Sequence, residues 1–151
     1  MSLIRKLARP LLAAPFVSGG IATLKNPGPR VEMAESVTPP LAERLPVPEE
    51  TDQLVKLNAG VQVVAGVLLA MGRLRRLAAC ALAVSLVPTT LAGHRFWEQE
   101  DPTQRAQQQI HFLKNVGLLG GLILASVDTE GAPSLGWRAK RAARSARRKV
   151  S

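Results

Sequence analysis

Three polar residues in the last third of the sequence are spaced so that they could form a binding site. His111, Lys114 and Asn115 follow an i, i+3, i+4 pattern, which places them on one face of a helix. Ionisable groups inside an apolar helix are costly, and by default they face the interior of a helix bundle. Such a face could hydrogen-bond a carbonyl oxygen, as on a quinone, or receive an acidic group of a partner. The alternative is structural: Lys114 extends to the membrane surface and its neighbours hydrogen-bond adjacent helices.

Other polar residues form weaker patterns. Asn58 and Gln62 lie four residues apart and could either hydrogen-bond a neighbouring helix or belong to a ligand pocket. His94 and His111 lack the close spacing of metal ligands, so we predict no metal site. Cys80 is the single cysteine, which excludes a Cys-x-x-Cys redox motif and a multi-cysteine zinc site within this chain. No nucleophile and base form a recognisable pair, so we predict no catalytic residue.

The last residues of the sequence are strongly basic and rich in alanine. This segment contains seven basic residues: Arg138, Lys140, Arg141, Arg144, Arg147, Arg148 and Lys149. A helix lying on anionic lipid would explain this composition, and so would a solvated tail that fixes membrane topology. No aromatic platform or RNA-binding motif accompanies these bases, so we expect no nucleic acid partner.

The elements that must position these side chains are apolar stretches. Four charge-free runs of 13 to 17 residues recur along the chain, and flanking basic side chains can extend them to the ~20 residues of a membrane span. A chain of 151 residues is too small to bury four helices that are apolar nearly all round. We therefore predict an all-α fold, a bundle of four transmembrane helices. The spans cover about residues 6–25, 54–72, 76–94 and 108–127.

The distribution of basic residues predicts the orientation of these spans. The membrane domain covers residues 1–137, residues 26–51 form a Pro- and Glu-rich extracytoplasmic loop, and residues 138–151 form a basic cytoplasmic tail. Thirteen of the twenty Lys and Arg fall on the side of the two termini and of residues 73–76. The positive-inside rule then places both termini in the cytoplasm. The first span resembles a signal peptide, but we expect it to be retained, because its removal would leave an odd number of spans.

Several short patterns along the chain point to one family. The first span carries Arg9, Phe16 and the glycine pair at 19–20, and a hairpin rich in glycine and arginine follows at 66–79. Later matches are His94, residues 114–115 and residues 131–135. Over about residues 5–137 the chain resembles the DoxX family of small bacterial membrane proteins. The resemblance implies a four-helix membrane bundle, with relatives linked to quinone-coupled sulfur oxidation and to oxidative-stress defence.

These observations favour a multi-pass subunit or scaffold of the bacterial cytoplasmic (inner) membrane. We expect an association with redox or oxidative-stress homeostasis, and no catalysis by this chain on its own. The alternative is a quinone-reactive oxidoreductase subunit that uses the polar face of the fourth span. Expected partners are an anionic lipid bilayer and other membrane or membrane-associated redox proteins. A homo-oligomer is also possible, because the small residues of the second and fourth spans permit close helix contacts between copies of the chain.

Overall fold

The computed structural model describes residues 3–43, 46, 48–129, 137 and 141. Within these ranges the ordered elements are helices and no strand is present, which confirms the predicted all-α class. In chain order the elements are α1 (Leu3–Lys25), α2 (Gly28–Ala34), α3 (Thr38–Ala42), α4 (Thr51–Ala70), α5 (Arg75–Gly93), a 3₁₀ turn (Phe96–Glu98) and α6 (Pro102–Val127).

Four of the described segments are long and apolar enough to cross a membrane. They are Leu3–Lys25, Thr51–Ala70, Arg75–Glu98 and Pro102–Val127. Their outward faces stay apolar: Val84 on α5 is 74% exposed and Leu124 on α6 is 71% exposed. Faces of this kind suit lipid rather than water. The four-helix prediction is therefore confirmed.

The long helices pack in the order α1, α4, α5, α6. α1 packs mainly against α4, α4 against α5 and α5 against α6, whereas α1 and α6 touch only slightly. The fully buried side chains at the centre include Leu69 on α4, Leu82 on α5 and Leu122 on α6. The ring of helices is consequently open between α1 and α6.

The sequence at the helix ends explains where the helices begin and turn. Asp101 caps α6, since its Oδ2 accepts the backbone N–H of Gln104 at 2.9 Å, and Pro102 occupies the first turn. The turn from α4 to α5 needs two left-handed residues, Gly72 with φ 71° and Leu74 with φ 45°. Glycine adopts this conformation without strain, which suits Gly72 to the tight connection.

The segment between α1 and α4 contains more helix than its composition indicated. Its prolines predicted little regular structure, yet α2 and α3 both form there. The physical reason is position: Pro29 in α2, and Pro39 and Pro40 in α3, stand in the first turn, where a missing N–H costs no hydrogen bond. α2 then packs against α4 and α5 at one end of the bundle.

Candidate functional site

A cavity of about 680 Å³ lies where α2 meets the bundle, and we call it the Asn115 cavity. All the helices contribute to its wall, with Phe16 from α1, Arg30 from α2, Thr38 from α3, Asn58 from α4, Ser85 from α5 and Asn115 from α6. Small-molecule sites in proteins typically enclose about 300–1,000 Å³. The Asn115 cavity therefore has room for a small organic molecule.

One part of the wall is a hydrogen-bonded network between α4 and α5. Asn58 donates from Nδ2 to Thr89 Oγ1 at 3.0 Å, and its Oδ1 accepts from Ser85 Oγ at 2.7 Å. Gln62 donates from Nε2 to the hydroxyls of Ser85 at 3.1 Å and Thr89 at 3.3 Å. All four side chains line the cavity. The network holds the two amides in fixed positions while joining the helices.

α6 brings two further polar residues to the same cavity. Asn115 is buried and donates from Nδ2 to Thr90 Oγ1 at 3.0 Å, and Thr90 in turn donates to the carbonyl of Leu86 at 2.8 Å. Lys114 also lines the cavity, although much of its side chain is exposed. Asn115 thus fixes α6 against α5, and the neighbouring Lys114 brings a positive charge to the cavity wall.

Two histidines extend this polar surface from the cavity wall to the outside of the bundle. His94 lines the cavity, and its Nδ1 lies 2.8 Å from Gln108 Oε1. The His94 and His111 rings stack with centroids 5.2 Å apart, and His111 Nδ1 lies 3.3 Å from Lys114 Nζ. His111 itself is exposed and lies outside the cavity lining. It therefore reaches the cavity only through its contacts with His94 and Lys114.

The charge of the lining is one-sided. Arg30 and Lys114 supply two cations, and the described residues that line the cavity include no Asp or Glu. Apolar side chains, among them Phe16, Leu54 and Leu118, form much of the remaining surface. An apolar cavity with cationic and amide hydrogen-bond donors suits a small organic molecule whose ring or chain bears carbonyl or anionic oxygens.

The three predicted site residues have different places in the structure. Lys114 and Asn115 both line the cavity, whereas His111 reaches it only through its neighbours. Sequence reasoning missed Ser85, Thr89, His94 and Arg30 as lining residues. His94 could have been identified from the sequence, because it is a polar, titratable residue directly after an apolar span. Ser85 and Thr89 gave no such signal, because hydroxyl residues in membrane helices usually bond their own backbone.

The seven predicted membrane-surface bases lie almost entirely outside the described residues. Of the seven, Arg141 alone is described, and its guanidinium carbon lies 5.0 Å from the centroid of the Trp137 ring. The other six fall outside the described ranges: Arg138, Lys140, Arg144, Arg147, Arg148 and Lys149. Across the described ranges, no group of three or more His, Cys, Asp or Glu is arranged to hold a metal ion.

Comparison with known families gives a match over the first part of the chain. The family model described as DoxX matches residues 4–95, which is more than half of the chain. The matched region runs from the start of α1 to just beyond α5, so it includes the α4–α5 network and His94 but ends before Lys114 and Asn115. No curated protein and no solved structure matches the chain.

Proposed function

Because this chain belongs to the DoxX family of membrane proteins, we propose that it is an integral membrane subunit of redox or oxidative-stress homeostasis whose Asn115 cavity binds a quinone head group. The observation that carries the proposal is the meeting of Lys114 and Asn115 with the amides of Asn58 and Gln62 at one apolar cavity. The family supplies the expectation of redox work, and the cavity supplies a place for the ligand.

The residues present fit a quinone. Its two carbonyl oxygens need hydrogen-bond donors. Lys114 and Arg30 carry them, and so does Asn58, whose amide nitrogen uses one of its two N–H groups within the α4–α5 network. Its ring and isoprenoid tail need an apolar surface, which Phe16, Leu54 and their neighbours provide. A bound quinone would supply two-electron redox chemistry at this site.

In the proposed function, the residues of this chain bind the quinone and orient it. Lys114 donates to one carbonyl oxygen, and the hydrogen bonds of Asn58 keep its amide from turning away. α2 packs on α4 and α5 at this end and contributes Arg30 and Met33 to the cavity wall. The subunit thereby presents a quinone to a membrane-associated redox partner. We place it in the bacterial inner membrane with its basic tail on anionic lipid.

Quinone binding by the full-length protein in detergent tests this proposal. A short-chain ubiquinone is titrated into wild type and into Lys114→Met, which removes the charge and keeps most of the length. Loss of one charge-assisted hydrogen bond predicts about tenfold weaker binding. The matched control is Lys25→Met: it removes the same charge from an exposed site at the same end of the bundle, outside the cavity lining, and should bind like wild type.

A third variant separates direct contact from positioning. His111→Leu removes the ring that contacts His94 and Lys114 but not a lining group, so its affinity should fall less than that of Lys114→Met. Equal affinity in wild type and Lys114→Met would contradict the quinone site. If partner proteins still co-purified in that case, the chain would be a scaffold without this ligand.

A further inference from the structure

A second cleft lies at the end of the bundle opposite the Asn115 cavity, and we call it the Arg9 cleft. It encloses about 530 Å³ and runs between α1 and α6, the two long helices that touch only slightly. α4 and α5 contribute Leu69 and Arg75 to its lining. It is a separate site, since the two linings share no residue.

One part of the Arg9 cleft is strongly charged. Arg5 Nε lies 3.2 Å, and Arg9 Nη2 3.5 Å, from the same oxygen of Asp128, the residue that follows α6. Arg9 is only 7% exposed although it lies within an apolar helix. With Arg75, the described lining residues comprise three guanidinium groups and one carboxylate. Among these described groups the cations outnumber the carboxylate.

The rest of the cleft is apolar. Leu12 from α1 and Leu124 from α6 both line it, and Leu124 is largely exposed. A surface with arginines at one end and leucines along its length matches a molecule with an anionic head and a hydrocarbon chain. The planar guanidinium group binds phosphate with paired hydrogen bonds, and basic pockets between membrane helices recognise anionic lipid head groups.

We propose that the Arg9 cleft binds one anionic phospholipid. The phosphate lies near Arg5, Arg9 and Arg75, and one acyl chain follows Leu12 and Leu124 through the opening between α1 and α6. Such a lipid would add to the ion pairs of Arg5 and Arg9 with Asp128, which already join α1 to the end of α6. This site belongs to the helix bundle and is independent of the basic tail and of the quinone proposal.

Native mass spectrometry of the full-length protein in detergent tests the site. The probes are phosphatidylglycerol and phosphatidylcholine with identical acyl chains, so that only the head group differs. Wild type should retain phosphatidylglycerol preferentially. Arg75→Gln and Arg5→Gln should each lower its retention about fivefold, the effect expected for one base near an anionic surface. Arg9→Gln should lower it further, but the buried Arg9 also contributes to folding, so Arg5 and Arg75 carry the test.

The matched control is Arg73→Gln. Arg73 is exposed in the turn just before α5, two residues from Arg75, and is absent from the cleft lining. Its loss therefore removes the same charge at the same end. Its variant should retain phosphatidylglycerol like wild type. Equal losses for Arg73→Gln and Arg75→Gln would overturn the proposal in favour of diffuse attraction, and so would equal retention of the two lipids by wild type. Displacement of the lipid by millimolar inorganic phosphate would overturn it in favour of a free-anion site.

Discussion

At the scale of single residues, the interior depends on short polar side chains that satisfy one another. Asn58 is central, because its amide both donates to Thr89 and accepts from the buried Ser85 hydroxyl. Away from water, a donor without an acceptor is costly, so the Asn58 amide and the Ser85 hydroxyl each need the other as a hydrogen-bond partner. The second N–H of the Asn58 amide is a candidate donor for the quinone, so stability and binding are linked at this position.

We expect Asn58→Leu to destabilise the protein by about 1 kcal/mol, because it leaves the Ser85 hydroxyl without its acceptor. The loss should be smaller when Ser85 is already Ala, since no hydroxyl is then left unsatisfied. Reversible unfolding of the single and double variants in detergent measures this coupling. Strictly additive effects would show that the two side chains do not support each other.

The residues of the site were predictable to different degrees. Asn115 and Asn58 stand out in sequence because an amide inside an apolar stretch needs a partner. Their partners did not stand out: Thr90 and Ser85 are ordinary residues for a membrane helix, and only the rotation of α5 turns their hydroxyls toward the amides. Helical periodicity groups residues of one helix, but it does not show which face of the next helix they meet.

At the scale of elements, α1 and α4 form the tightest pair, and two glycines permit it. A Cβ on Gly20 would lie 2.8 Å from the backbone oxygen of Ala59, and one on Gly66 would lie 2.6 Å from Val17 Cγ2. By contrast, a Cβ on Gly19 or Gly60 meets nothing within 4 Å. Small residues at helix contacts let backbones approach closely, and here only some of the glycines have that role.

We expect Gly20→Ala to lower the stability of the bundle by about 1–3 kcal/mol, because the backbone of α4 must move to accept the methyl group. Gly19→Ala, one position away, should keep or raise stability, since alanine favours helix by about 0.5–1 kcal/mol and the space is open. Thermal unfolding of both variants in the same detergent compares them. Equal melting temperatures would contradict the close approach of α1 and α4 at Gly20.

The elements themselves were more predictable than their contacts. Four long apolar runs require four helices in lipid, because every backbone group must be satisfied within its own segment. α2 and α3 were not predicted, because the Pro- and Glu-rich composition of residues 26–51 indicated a loop. In a first turn, however, prolines favour a helix start. The open α1–α6 side was also not predictable, because it results from the packing of the other three pairs.

At the scale of the whole molecule, contacts show which helix ends lie together. Arg5 at the start of α1 pairs with Asp128 after α6, and Arg76 at the start of α5 donates to the Ser126 carbonyl at 2.7 Å. At the other end, His94 after α5 contacts Gln108 near the start of α6. Consecutive long helices therefore run in opposite directions. After α1 and α4 have each traversed the bundle once, the turn at residues 72–74 and the start of α5 lie at the same end as the start of α1.

This arrangement and the basic residues together predict the orientation in the membrane. The end that carries Arg5, Arg9 and residues 73–76 should face the cytoplasm, because the positive-inside rule counts Lys and Arg near the span ends. Reporter fusions after Gly72 and Ser151 should then report the cytoplasm, and fusions near Pro40 and Asp101 should report the opposite side. Replacing the three arginines of 73–76 by Gln should weaken this preference, whereas replacing Arg95 and Arg105 at the other end should strengthen it. A fusion near Pro40 on the same side as one after Ser151 would contradict the four-span arrangement.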